Sequence, residues 1–503
     1  MAEIERYIVL PRRGIRAATP AALNELTRFP TVFSNRPSAR LRLENFGNAD
    51  VTVHDTTAED GPKLVDMDAE TAARLNSPGS PVRAVKEVFY PLPQPAEGTV
   101  EDAAVGAGGA AAAAPRFSFE AEVVDASTSA PIANARVLAF SDFRNRIGAK
   151  GITGANGRVG LTLPAASIER MTAVPVPGTG YWSGYRVNVP AAGVVRIPVP
   201  PFAMPFVDGV RHYFSKTNFL SATGVTVGII DTGCGPHADL NIVGGRNTVT
   251  GEPASASQDG GYHGTHVAGL VGARGVAPNG IRGLAPGVNL RAYRVFGAGA
   301  SGASNYAILK AMIFAATDSC DVINLSLGGG PPNDIVKEAI EDASDQGMLV
   351  VIAAGNDYRA AVNYPAAYPL ATPVSAMGRS GTYPAGSSEE LQAVKPPNPA
   401  TDPSEYIAHF SNFGLQINFT APGVGAISTL PNDRIGPLSG TSMAAPVVAG
   451  AAACRLSQNP QIYALPRDGL RAKSIKLLLQ NSTATRGFGI DYEGSGLPQS
   501  PSV

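Results

Sequence analysis

From Val225 onward the chain repeats one pattern: a short apolar run stops at small polar residues, and a stretch with helical spacing follows. Apolar runs stand at 225–230, 289–296, 320–327, 348–354, 372–377 and 416–420, and helical stretches start at His263, Ser304, Asn333, Ser442 and Asp468. Strands that are apolar throughout need cover on both faces, and strands separated by helices pair in parallel. The pattern predicts an α/β fold with a mostly parallel sheet and helices on both faces.

Four of the segments carry chemistry: Val227-Gly-Ile-Ile-Asp231-Thr-Gly233, His263-Gly-Thr-His-Val-Ala-Gly269, Ala353-Ala-Gly-Asn356 and Gly440-Thr-Ser442-Met-Ala-Ala-Pro446. Asp231 ends an apolar strand, at the edge where open α/β sheets place their sites, and can orient and charge-balance an imidazole. His263 opens a small-residue helix and can act as general base and then general acid. A serine hydroxyl is too weak an acid to attack an amide unaided, so Ser442 needs such a base. Asn356 can donate its side-chain amide to a developing oxyanion, with the Ser442 N–H as second donor. His266 is three residues from His263, but without a His-Glu-x-x-His pattern or clustered cysteines it reads as a packed structural histidine, so no metal site is expected. His54, His212, His237 and His409 lack ligand spacing.

In order and content these segments resemble the subtilisin-like (S8) serine peptidases. The similarity spans about residues 205 to 500, including Val322–Gly329, Ala421–Leu430 and Gly494–Leu497. A Gly-x-Ser-x-Gly elbow, the mark of a different serine-hydrolase fold, is absent around Ser442. The resemblance implies a serine endopeptidase acting on protein or peptide substrates, often made as a zymogen. Carried over residue by residue, it implies that Ser326, Leu327 and Gly328, with Ala353, Ala354 and Gly355, wall the pocket for the residue before the scissile bond. Ser301 and Gly302 would line the other side and Asn363 the base, where no fixed charge appears, so a broad or apolar preference is expected. Residues 379 to 405 look inserted relative to the family pattern. Relatives often hold structural calcium. Asp239 matches a ligand position, but the loop from Arg274 to Gly283 departs from the ligand pattern; calcium stays an open option and no cofactor is required.

Upstream, residues 1–95 alternate strand-like and helix-like stretches: Tyr7–Leu10, Ala21–Leu26, Arg40–Leu43, Lys63–Met67, a helix capped by Asp68, and a strand from Val85 to Tyr90. This small α+β domain resembles the inhibitory propeptide of many subtilisin-like enzymes, which makes it an expected partner of the catalytic region. Residues 96–115, rich in Ala, Gly and Pro, read as a linker. Residues 116–202 look all-β, with Asn156-Gly157 marking a hairpin, and resemble a small transthyretin-like or carboxypeptidase-regulatory-like β-sandwich. Its role is open between recognition and spacing. The catalytic domain occupies residues 205–503. A different class of reading keeps the protease-like domain shut as a docking module.

The length of 503 residues suits about three domains. With 40 basic and 41 acidic residues the net charge is −1, so neither nucleic acid nor a membrane is an expected partner. The N-terminus lacks the apolar core of a secretory leader, and the three cysteines, Cys234, Cys320 and Cys454, suit a reducing compartment; a cytoplasmic location is expected, with secretion by an unusual route left open.

Overall fold

The computed structural model describes residues 3–33, 36–43, 49–92, 101–102, 116–214, 222–275, 280–394 and 400–499. Its centre is an eight-stranded sheet in the order Ile242–Asn247, Asn289–Arg294, Thr226–Asp231, Val322–Leu325, Leu349–Ala353 and Thr372–Arg379, with Glu405–Ile407 and Phe419–Pro422 both paired to the last. All its pairings are parallel except that of Glu405–Ile407. Alternate side chains of each strand face opposite layers. Val227, Ile229 and Val351 pack under helices His263–Gly272, Thr441–Ser457 and Gly469–Gln480. Ile230, Val350 and Ile352 pack under helices Asn305–Thr317 and Asp334–Asp345. This is the subtilisin-like architecture, with helices on both faces.

Helix Thr441–Ser457 lies at the centre of one layer, and all its residues except Arg455 and Ser457 are buried. Only small side chains fit there, which explains the Ala- and Gly-rich run after Ser442. Several elements escape the apolar-run rule, among them strands Ile242–Asn247 and Glu405–Ile407 and the hairpin of Ala426–Leu430 with Arg434–Leu438. Gly244, Gly245, Ser428 and Thr429 break the apolar signal there.

The N-terminal region is a five-stranded antiparallel sheet, in the order Ala39–Leu43, Ala49–Thr56, Lys63–Asp68, Ile4–Pro11 and Val82–Lys86. Helices Pro20–Leu26 and Ala69–Leu75 accompany it, and the Asp68 carboxylate caps the second by accepting from Thr71 N at 2.7 Å. Strand Ile4–Pro11 explains its own unbroken apolar run. Tyr7 and Val9 face the domain's own core, while Ile8 and Leu10 join the apolar cluster of the catalytic helices. Strand Ala49–Thr56 is absent from the sequence reading because it ends in His54, Asp55 and Thr56. Asp55 and Thr56 are nevertheless buried, Asp55 by pairing with Lys310 across the interface at 2.6 Å. The single strand expected from Val85 to Tyr90 is corrected: Val82–Lys86 completes the N-terminal sheet, and Phe89–Pro91 pairs with the catalytic region.

The third region is a sandwich. One sheet runs Gly184–Pro190, Ser167–Val174, Arg136–Asp142 and Ile147–Ile152; the other runs Arg158–Leu163, Phe117–Asp125 and Val194–Val199. The Asn156-Gly157 hairpin is also corrected. The strand before the turn pairs with Arg136–Asp142 and the strand after it with Phe117–Asp125, so the turn crosses between sheets. Gly157 is required there: its φ is +74°, and a Cβ would meet Val123 O at 2.7 Å. The 96–115 linker lies outside the described residues apart from Glu101–Asp102, which pairs in parallel with Ile147–Gly148.

Candidate active site

Asp231 is fully buried at the end of its strand. Its Oδ1 accepts from Thr232 N at 2.7 Å and lies 2.8 Å from His263 Nδ1, with Oδ2 at 3.0 Å from the same nitrogen. His263 is the first residue of its helix. Gly264, the next residue, has no room for a side chain, since a Cβ would sit 2.0 Å from Gly233 O. Burial alone would lower the His263 pKa, but the Asp231 charge and hydrogen bond outweigh it, and the imidazole titrates above its ordinary value.

Asp259 also builds the site, and sequence reasoning passed over it. Its Oδ2 accepts from Thr265 N at 2.8 Å and from Thr265 Oγ1 at 2.6 Å, and its Oδ1 from Thr232 Oγ1 at 2.7 Å. Thr232 Oγ1 in turn accepts from Gly264 N at 2.9 Å. One carboxylate thus ties the start of the histidine helix to the loop after Asp231. An acid four residues before a helix-opening histidine was the available signal.

Ser442 is the second residue of helix Thr441–Ser457. Its hydroxyl donates to Ser326 O at 3.2 Å, while Ser326 Oγ donates back to Ser442 O at 2.9 Å and accepts from Asn324 Nδ2 at 2.9 Å. Among the described residues the Ser442 hydroxyl bonds to Ser326 rather than His263, although both His263 and Ser442 line one open cavity. The Asn356 Oδ1 accepts from Thr441 N and Thr441 Oγ1, both at 2.9 Å, and Thr441 Oγ1 accepts from Gly355 N at 3.2 Å. These bonds fix the orientation of the Asn356 amide beside Ser442.

A cavity of about 540 Å³ lies beyond Ser442, bounded by Ser326, Leu327, Gly328, Ala353, Gly355 and Asn363. Ala354 is corrected: it is fully buried in the apolar core beneath the pocket. The base without fixed charge is corrected too, because Asp357 lines the cavity; its Oδ2 accepts from Asn363 Nδ2 at 2.7 Å and from Asn412 Nδ2 at 2.9 Å. The charge escaped notice because Asp357 follows Asn356 directly and reads as a turn residue.

Ser301 and Gly302 hold a strand. Phe89–Pro91 pairs antiparallel with Gly302–Ser304, and Leu92 N donates to Ser301 O at 3.0 Å. Tyr90 is fully buried and its hydroxyl donates to Pro331 O at 3.3 Å, whereas Phe89 is exposed. Gly302 and Gly330 leave room for this segment, since Cβ atoms there would lie 2.6 Å from Tyr90 O and 2.4 Å from the Tyr90 ring. Pro91 and Leu92 border the cavity beside Ser442.

His266 is buried with Nε2 3.1 Å from Gly436 O, and burial lowers its pKa to about 3, so it is neutral structure. The buried Cys234 thiol donates to Gly264 O at 3.7 Å, and burial raises its pKa well above the ordinary thiol value. It fills space between the Asp231 loop and the histidine helix. The Asp239 Oδ2 accepts from Ile281 N at 3.1 Å. Residues 276–279 of that loop lie outside the described residues, and among those described no three His, Cys, Asp or Glu side chains form a metal-binding group.

A parallel sheet with Asp, His and Ser gathered at its rim defines a subtilisin-like serine peptidase. The Subtilase family model matches residues 222–496, and the chain belongs to that family. It is 39% identical to Subtilisin Savinase of Lederbergia lenta over 241 residues, covering 48% of this chain and 79% of that protein. It is 38% identical to Subtilisin DY of Bacillus licheniformis over 302 residues, covering 59% and 96%. The protein is a serine endopeptidase.

Proposed function

We propose that this endopeptidase cleaves peptide bonds through Asp231, His263 and Ser442, with Asn356 as oxyanion donor, and is made as a zymogen inhibited by residues 1 to about 95. The 2.8 Å contact between His263 and Asp231 supports the catalytic part. Asp231 sets the imidazole tautomer, leaving Nε2 to take the serine proton once the Ser442 hydroxyl turns from Ser326 O. Such bonds often form only when substrate arrives. The attacked carbonyl then becomes an oxyanion between the Asn356 amide and the Ser442 N–H, and the imidazolium returns its proton to the leaving amine.

The observation that carries the zymogen reading is the Phe89–Leu92 strand. It pairs with Ser301–Ser304 as an extended substrate would, buries Tyr90 and ends beside Ser442. Released at a cut within or beside residues 92–115, the N-terminal region would vacate the groove. The pocket walls mix apolar and small polar groups and Asp357 adds a carboxylate, which extends the preference from apolar to basic side chains. The test is labelling by a serine-directed fluorophosphonate, with intact-mass analysis, before and after incubation of the full-length chain. The reading expects Ser442 to be labelled only after a new N-terminus appears in that window. Full labelling of the uncut chain would overturn the zymogen claim. Absence of labelling in the cut chain would favour a shut docking module.

A further inference from the structure

We propose that the β-sandwich is part of the substrate cleft: it walls the leaving-group side, packing apolar residues against Val174, Pro175 and Pro177 and reading a carboxylate through Arg136. The proposal deepens the catalytic reading and rests on Ser442 as nucleophile.

Two cavities meet at Ser442. One holds Leu92 at the end of the groove strand. The other, open to solvent, is lined by His263, Ser442, Met443 and Leu438 of the catalytic region and by Arg136, Val174, Pro175 and Pro177 of the sandwich. A substrate whose first half follows the path of Phe89–Leu92 must leave past Ser442 on the opposite side. Its residues after the scissile bond therefore enter the second cavity.

The sandwich is held firmly enough to shape a site. Trp182 is 1% exposed within the catalytic core, with its ring edge-on to Phe206 at 5.2 Å. The Ser388 N–H donates to Ser183 O at 2.9 Å, and Arg434 Nη1 donates to Pro177 O at 3.3 Å. Phe143 meets Tyr358 edge-on at 4.9 Å, and the Arg146 guanidinium lies 4.0 Å from the Tyr358 ring centre. These contacts tie the sandwich to the catalytic region at several separate points, one of them on the loop that carries Asn356. Sites on elements locked by packing discriminate more sharply than sites on loose tethers.

Arg136 supplies the charge. It sits on strand Arg136–Asp142, half-buried, and among the described residues its guanidinium has no ion pair or hydrogen bond. Glu389 also lines the cavity, beside the sandwich residue Trp182, and its Oε1 accepts from Ser439 Oγ at 3.3 Å. An anion entering the cavity thus meets its cation on the sandwich side. The planar guanidinium suits a carboxylate, either an acidic side chain or the free C-terminus of a short leaving peptide.

The test compares three peptides, identical up to the scissile bond and continuing with Leu, that end in Ala with a free carboxylate, in Ala amide or in Asp amide. With the full-length chain after self-processing, at least one carboxylate peptide should exceed Ala amide in kcat/KM by about tenfold. Which one does so identifies the source of the carboxylate. In Arg136→Gln that ratio should fall to about one; because it is read within one protein, loss of folded enzyme cancels. No preference in the wild type, or a preference that survives Arg136→Gln, overturns the proposal. Should fluorophosphonate fail to label Ser442, the catalytic reading fails separately. Calorimetric titration of the Ser442→Ala chain with Leu-Ala, Leu-Ala amide and Leu-Asp amide then decides Arg136 by the same ratio.

Discussion

The N-terminal region and the β-sandwich both dock on the catalytic region, and they do so with different chemistry. The N-terminal region has its own core and meets the catalytic helices through one sheet face, a backbone-paired strand and charges: Asp55 with Lys310, Arg83 with Glu338, Glu87 with Ser304. The sandwich inserts Trp182 into the catalytic core and runs through Phe202 and Phe206 straight into the catalytic chain. A cut after Leu92 would leave the first region held without a covalent tether, losing the high effective concentration a tether provides. The sandwich stays joined. One appendage suits release and the other permanence, although both border the same groove.

The sharpest break of this contrast is Ser442→Ala. Turnover should fall by about 10⁶, a magnitude known from subtilisin rather than derived from this geometry, and the N-terminal region should stay attached. Identical trimming of Ser442→Ala, seen by intact mass, would assign the cut to another protease and remove the basis for calling that region self-released.

Asp231→Asn should cost about 10⁴ in kcat, again a magnitude known from subtilisin, and should slow release of the N-terminal region in proportion. The pH profile carries the sign. His263 acts as base only when neutral, and Asp231 favours its protonated form, so the acid limb of wild-type kcat/KM should lie above the ordinary histidine value. Without the carboxylate charge, burial dominates and the limb should move to lower pH. An unmoved limb would deny that Asp231 sets the base.

Trp182→Ala should cost about 3–5 kcal/mol and lower a single melting transition shared by sandwich and catalytic region. Two separate transitions, with the catalytic one unmoved, would make the sandwich a loose module. Lys310→Met should cost the N-terminal interface about 3 kcal/mol, because the Asp55 carboxylate stays buried without its cation. The cut fragment should then co-purify far less with the enzyme. Adding Asp55→Leu should restore much of the binding; if fragment retention is the same in all three proteins, that ion pair does not hold the region.

The sequence by itself determined the catalytic architecture and singled out the residues proposed to react. Strand and helix patterns are local, so the parallel sheet and the placement of Asp231, His263, Asn356 and Ser442 at strand ends and helix starts were legible from the apolar runs and glycine-bearing turns. Tyr7–Leu10 was legible as a strand, and the structure shows that its two faces serve different cores. What only the tertiary structure decided is where separate segments meet. The Val85–Tyr90 run looks like one strand because apolarity marks burial and not partner, yet Val82–Lys86 and Phe89–Pro91 serve different sheets. Asn156-Gly157 specifies a turn, but which sheet receives the chain depends on packing between the two layers. Asp259 and Asp357 read as loop acids until the fold sets them among Thr265, Thr232, Asn363 and Asn412. Arg136 and Val174 line one cavity with Ser442 only because Trp182 anchors the sandwich against the cleft, and such proximity between distant residues leaves no periodic trace in either segment.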